Sequence, residues 1–309
     1  MITAKYESQV RLLLDILPSV AQEECFAMHG GSAINLFVRD MPRLSVDIDL
    51  TYLPIEDRDT TLENIALALQ SVQSRIAAIR PAVRATMNTD RSKLLCSRSD
   101  AQIKIEVNTT MRGSLGDPVK RVLSPKTQER FDRFAEFQIM PIGQLYGGKI
   151  CAALDRQHPR DLFDAKYMLE VLGFTDEIKR GFLLCLLSSD RPIHEIIRPS
   201  LIDQRDTLTN HFVGMTDELF SYEEFEDTRR ALIETVTTKL DESDRSFLIS
   251  FKDCEPRWTE YGFDDLERFP AVQWKLQNIR KLKASKPDKH QEQLERLKER
   301  LSKDSRASR

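Results

Sequence analysis

Gly30-Gly31-Ser32 is followed, 15 residues after Ser32, by Asp47-Ile48-Asp49, and Glu106 stands further on in Ile103-Lys104-Ile105-Glu106-Val107. Two carboxylates at i and i+2 of a strand project from one face, and a third on a nearby strand can converge with them. Three carboxylates so placed repel one another unless a cation neutralises them, and all-oxygen ligation suits Mg²⁺ or Mn²⁺. Asp47, Asp49 and Glu106 are therefore the expected metal ligands. Gly30 and Gly31 allow a close backbone approach to a ligand, and amides at the start of a following helix suit phosphate oxygens. Metal plus phosphate points to nucleotide chemistry. Each piece alone has an ordinary reading: solvent-facing charge for D-x-D, a plain turn for G-G-S, a solvated strand residue for Glu106. Their order and spacing within one segment set them apart.

The surrounding pattern says which elements must position these groups. Val10, Leu13, Leu14 and Leu17 predict an opening helix interrupted by Pro18. Phe26-Ala27-Met28 reads as a short strand, then a glycine turn, then a helix over 33–37. Residues 45–53 alternate, with Val46, Ile48 and Leu50 on one side and Ser45, Asp47, Asp49 and Thr51 on the other. A helix is expected over 61–79, ended by Pro81, with strands near 83–88, 93–97, 102–109 and 136–140. Beyond Pro141 the texture is helical. The organisation expected is an α/β domain at 1–140, a helical domain at 141–280 and a basic tail at 281–309, partly helical or disordered.

Charge and composition exclude several classes. The net charge of −3 hides a tail of 10 basic against 5 acidic residues over 281–309, leaving 36 against 44 elsewhere. Leu294, Leu297 and Leu301 fit a short amphipathic helix in that tail. No apolar stretch is long enough to span a membrane, and the first residues lack the pattern of a secretion signal. A cytoplasmic protein is expected. The five cysteines are widely spaced with no C-x-x-C pair, and the five histidines contain no H-x-x-x-H, which argues against a disulfide framework and a histidine metal site.

The combination of G-S, D-x-D and a later carboxylate resembles the nucleotidyltransferase superfamily of polymerase-beta fold. The words His29-Gly30-Gly31-Ser32-Ala33-Ile34-Asn35-Leu36 and Pro42-Arg43-Leu44-Ser45-Val46-Asp47-Ile48-Asp49-Leu50 resemble the AbiEii/AbiGii toxin family, which includes MenT-type toxins. Further on, Lys149-Ile150-Cys151-Ala152-Ala153-Leu154, then Arg160-Asp161-Leu162-Phe163-Asp164, and Val272-Gln273-Trp274-Lys275-Leu276-Gln277-Asn278 are similar to later words of that family. The resemblance spans roughly residues 20–280.

It implies an α/β (α+β) fold: a polymerase-beta-like domain with a mixed sheet flanked by helices, then an all-helical domain that completes the nucleotide site. It implies an NTP-dependent nucleotidyltransferase acting as the toxin of a toxin–antitoxin or phage-defence pair, with Mg²⁺ or Mn²⁺ as cofactor. The acceptor implied is RNA, foremost the tRNA 3′ end, and the partner a cognate antitoxin encoded nearby. Catalysis would rest on Asp47, Asp49, Glu106, Lys149 and Asp164. Nucleotide binding would involve Gly31, Ser32, Ser45, Lys149, Arg160 and Asp161. For Lys149 the ordinary alternative is a snorkelling surface lysine, and for Arg160, Asp161 and Asp164 a helix-face ion-pair cluster. Lys275 and Trp274 read as structural, the tryptophan as core. Two rivals remain: transfer of a nucleotidyl or phosphoryl group to a protein hydroxyl, and a non-catalytic binding module of the same fold.

Overall fold

The computed structural model describes residues 2–302, in two compact units. The first comprises Met1–Pro141 and Asp206–Phe220. It opens with α1 (Ala4–Val20), which buries Val10, Leu13, Leu14 and Leu17. Pro18 does not end this helix but sits in its last turn, where the missing N–H costs a single hydrogen bond. Then come β1 (Phe26–His29), α2 (Gly30–Ala33) running on into a π-helical turn at Ile34–Val38, and β2 (Ile48–Tyr52). The long helix α3 (Arg58–Ile79) starts where Asp57 caps the amide of Thr60. After it follow β3 (Arg84–Met87), β4 (Lys93–Arg98), β5 (Ala101–Asn108), β6 (Val119–Val122), α4 (Pro125–Phe131) and β7 (Glu136–Ile139).

The seven strands form one mixed sheet in the order β3-β4-β5-β2-β1-β7-β6. β2 lies inside it, antiparallel to β1 and parallel to β5, with His29 opposite Asp49 and Asp49 opposite Glu106. The expected strand over 45–53 is shorter than its alternation suggested. β1 ends at His29, so on that side nothing remains to pair with residues before Ile48. That approach is held from elsewhere: Leu44 N donates to Met215 O at 2.6 Å, and Thr216 Oγ1 to Pro42 O at 2.8 Å. The 206–220 segment thus belongs to the first unit, although it lies far along the chain in what the sequence reads as a helical region.

The second unit comprises Ile142–Arg205 and Ser221–Arg309. Its helices are α5 (Ile142–Asp155), α6 (Pro159–Val171), α7 (Asp176–Leu186) and α8 (Ile193–Ile197). The short α9 (Arg205–His211) leads into the first unit's returning segment, and the second unit resumes with α10 (Tyr222–Lys239), α11 (Glu242–Lys252), α12 (Asp264–Glu267), α13 (Pro270–Ser285) and α14 (Pro287–Leu301). α5 and α7 pack with their backbones almost touching: a Cβ on Gly147 would stand 2.1 Å from the carbonyl carbon of Gly181. Reciprocal capping boxes fix the starts of α10, through Ser221 and Glu224, and of α11, through Asp241 and Asp244. The basic tail is helical as far as Leu301, with Leu294, Leu297 and Leu301 buried and the Leu301 carbonyl accepting from Arg245. Residues 303–309 of the expected tail lie outside those described.

Candidate functional site

The G-G-S turn and the D-x-D strand are fitted to one another atom by atom. Gly30 has φ +74°, and a Cβ there would stand 2.6 Å from Asp49 Oδ2. Only glycine meets both conditions without strain. Next to it, a Cβ on Gly31 would meet Ser45 Oγ at 2.8 Å and Arg43 Nη2 at 2.9 Å. Ser32, almost wholly buried, donates its hydroxyl to the backbone carbonyl of Asp47, and Asn35 Nδ2 donates to Gly31 O at 2.9 Å. Three side chains, of Arg43, Ser45 and Asp49, and the main-chain carbonyl of Asp47 therefore converge on the turn from the residues at and just before β2. Asp47 and Asp49 themselves are half-buried.

Glu106 stands opposite Asp49 in the parallel register of β2 and β5. Its carboxylate is held at both oxygens, by Lys93 Nζ at 2.6 Å and by Lys104 Nζ at 2.5 Å. Partial burial works against its charged form, but the two ammonium groups outweigh burial and hold its pKa below the ordinary glutamate value. Lys104 is correspondingly raised, first by its hydrogen bond to Glu106 and in smaller part by the charges of Asp47 and Asp49. The acidic face thus carries its own cation. Lys104 was legible in the alternation of Ile103-Lys104-Ile105-Glu106, which puts it on the same face as Glu106. Lys93 and Arg43 were not, since each arrives by strand register or by a loop.

The donor set suits a divalent cation on Asp47 and Asp49. Both supply hard oxygen ligands, and the absence of a side chain at residue 30 leaves the space beside Asp49 Oδ2 clear. Among the described residues, however, no three His, Cys, Asp or Glu side chains are grouped closely enough to enclose an ion. Glu106 is turned to its lysines.

In the second unit, Lys149 on α5 meets Asp161 and Asp164 on α6. Its Nζ lies 2.8 Å from Asp161 Oδ1 and 3.0 Å from Asp164 Oδ2, and all three side chains are buried, at 7%, 2% and 1% exposure. Asp161 and Asp164 share a helix face by their i, i+3 spacing, which points both at the neighbouring helix. Arg156, missed in the sequence, adds a second cation with Nε 2.5 Å from Asp161 Oδ2. Burial raises the Asp161 pKa, but Lys149 and Arg156 together drive it well below the usual carboxylate range. Lys149 is not a snorkelling surface lysine. The neighbouring Arg160 is half-buried, and its backbone amide is capped by His158 Nδ1 at 3.1 Å, in the first turn of α6.

A mixed sheet with a glycine–serine turn locked onto a D-x-D strand is the arrangement expected of a nucleotidyltransferase. The chain belongs to the nucleotidyl transferase AbiEii toxin family of type IV toxin–antitoxin systems, whose model matches residues 11–278. Among solved structures it is similar to MenT4, a nucleotidyltransferase toxin from Mycobacterium tuberculosis H37Rv. The TM-score is 0.59 over 90% of this chain and 95% of that one, at 13% identity. At that identity the likeness is one of fold: a mixed sheet flanked by helices and a helical carboxyl-terminal region. No curated protein matches the chain. Among the described residues, no helix is long and apolar enough to cross a membrane.

Proposed function

We propose that this chain is a toxin that transfers a nucleoside monophosphate from an NTP to RNA, foremost to the 3′ end of tRNA, and so halts translation. The observation that carries the reading is the close approach of Gly30 to Asp49, which sets a side-chain-free stretch of main chain against a metal-type carboxylate. Asp47 and Asp49 would hold Mg²⁺ or Mn²⁺, which when bound supplies charge neutralisation for the triphosphate and lowers the pKa of the acceptor hydroxyl. Gly31 and Ser45 would border the phosphates, with Arg43 Nη2 offering a buried positive charge at the same edge. Ser32 would act through the main chain, by fixing the carbonyl of Asp47. Glu106 would serve the acceptor side, its ionised form maintained by Lys93 and Lys104.

In the reaction the acceptor oxygen bonds to the α-phosphorus, the bond from that phosphorus to the bridging oxygen breaks, and pyrophosphate leaves. Lys149 is proposed as a phosphate-binding cation and Asp161 and Asp164 as the residues that position it, on the family resemblance and on the two ion pairs. Arg160 is proposed as a further nucleotide-binding residue on the resemblance alone. An antitoxin encoded beside the gene and a cytoplasmic site of action belong to the same reading. The test is to incubate the protein with each labelled NTP, Mg²⁺ or Mn²⁺ and total RNA. Label in the tRNA band, from one NTP above the others, is the expected result. Label on protein instead supports the rival acceptor.

A further inference from the structure

The late word Val272-Gln273-Trp274-Lys275-Leu276-Gln277-Asn278 has no role in the transfer proposed above, and its tryptophan is not core: Trp274 is 51% exposed. It borders a cleft of about 200 Å³ made wholly of residues of the second unit. Lys275 builds one wall of that cleft. Its buried ammonium donates to the carbonyls of Leu186, Ser189 and Arg191 at 2.9, 2.7 and 2.8 Å, which uses all three of its protons and pins the 186–191 turn. Lys275 therefore has nothing left to offer a ligand.

Lys252 is in the opposite condition. It lines the same cleft, is only 4% exposed, and its Nζ makes one hydrogen bond, to Gln293 Oε1 at 2.8 Å. Among the described residues no carboxylate lies within ion-pair reach of it. Two donors of a buried ammonium are thus left over, a costly arrangement in an apolar setting that an anion would relieve. Burial pushes Lys252 down to about 8, so at neutral pH the group is still mostly charged. The cleft lining carries Lys252, Lys275 and Arg191 against the single acid Asp190, but Arg191 is paired with Asp155 at 2.7 Å and with Glu195 at 3.7 Å, so Lys252 is the cation left to a ligand. Nearby, burial is the main cause that lowers the His194 pKa; Glu195 opposes it, and Arg296, Lys252 and Arg300 add to it in smaller part.

We propose that this cleft binds a phosphorylated nucleoside, its phosphate on Lys252 and its base stacked on Trp274. A lysine ammonium is a compact partner for phosphate, and the half-exposed indole of Trp274, with the Lys281 ammonium over its ring 5.5 Å from the centroid, is a surface on which any base can stack. The cleft is too small for a whole nucleotide, so the phosphate enters and the base stays at the rim over the indole. A free nucleotide and the phosphorylated end of an RNA strand share this chemistry. The proposal does not depend on the transfer reaction and stands or falls separately from it.

The test uses the full chain with Trp258→Phe, which leaves Trp274 as the only tryptophan of the two. In EDTA, AMP is expected to quench its emission saturably, while adenosine at equal concentration is not. Lys252→Met is expected to weaken AMP binding roughly tenfold or more, the loss of one charged hydrogen bond. As a variant without folding risk, the exposed Trp274→Ala is expected to abolish the heat of AMP binding in calorimetry. A 5′-phosphorylated hexa-adenylate that binds more tightly than AMP assigns the site to a strand end, and equal binding assigns it to the free nucleotide. Equal quenching by adenosine, unchanged affinity in Lys252→Met, unchanged heat in Trp274→Ala, or inorganic phosphate binding as tightly as AMP would each overturn the proposal.

Discussion

Gly30 and Asp49 approach so closely that a single methyl group on residue 30 would stand 2.6 Å from the carboxylate oxygen Oδ2. The positive φ of Gly30 and the absence of its side chain serve one purpose: they let the chain turn sharply beside a carboxylate without covering it.

Gly30→Ala is therefore expected to be harmful twice over. The left-handed backbone costs about 1–2 kcal/mol for an alanine, and the methyl displaces Asp49. Urea unfolding should show that loss, and nucleotide transfer should fall well beyond it. Unchanged activity in a folded Gly30→Ala protein would mean that Asp49 does not act where it stands.

Lys104→Met removes one of the two ammonium groups that hold Glu106 ionised. The Glu106 pKa should move up toward its ordinary value, so the acid limb of the pH–rate profile should shift to higher pH. The sign for stability is the same. A depressed glutamate contributes stability above its unfolded pKa and loses it as pH falls through its folded value, and Lys104→Met narrows that window. A pH–rate profile superimposable on the parent's would show that Glu106 takes no part.

Ser45→Ala should keep much of the activity, because the hydroxyl only borders the turn. Ser45→Asp should lose it, since the larger charged group fills the space against Gly31 and adds negative charge beside Asp47 and Asp49. Equal transfer rates for Ser45→Asp and the parent would remove Ser45 from the site.

Lys149→Met leaves the buried carboxylates of Asp161 and Asp164 without their shared ammonium, a loss of about 3–5 kcal/mol. Adding Asp164→Asn should restore part of that stability and none of the NTP affinity. Recovery of both together would make the triad purely structural.

The G-G-S turn, the D-x-D pair and the partner position of Glu106 were legible because each is local or follows from strand alternation. What surrounds them was not. Arg43 reaches Gly31 from a loop, and Lys93 reaches Glu106 through the register of β4 on β5. The strand over 45–53 was read too long because alternation persists where pairing has stopped, and the loop before Ile48 is instead tied to Met215 and Thr216, more than 160 residues away. β6 (Val119–Val122) was missed because Val-Lys-Arg-Val is too short and charged to stand out. In α13 the helical period was right, but it put Lys275 inside and Trp274 out, where residue type alone suggested the reverse.

The most direct measurement compares NTP labelled at the α-phosphate with NTP labelled at the γ-phosphate, in the presence of RNA and Mg²⁺, for the parent protein and Asp49→Asn. Label from the α position should appear at the RNA 3′ end, γ label should leave as pyrophosphate, and folded Asp49→Asn should transfer neither. Transfer of γ label, label on protein in place of RNA, or full activity in Asp49→Asn would contradict nucleotidyl transfer at this turn.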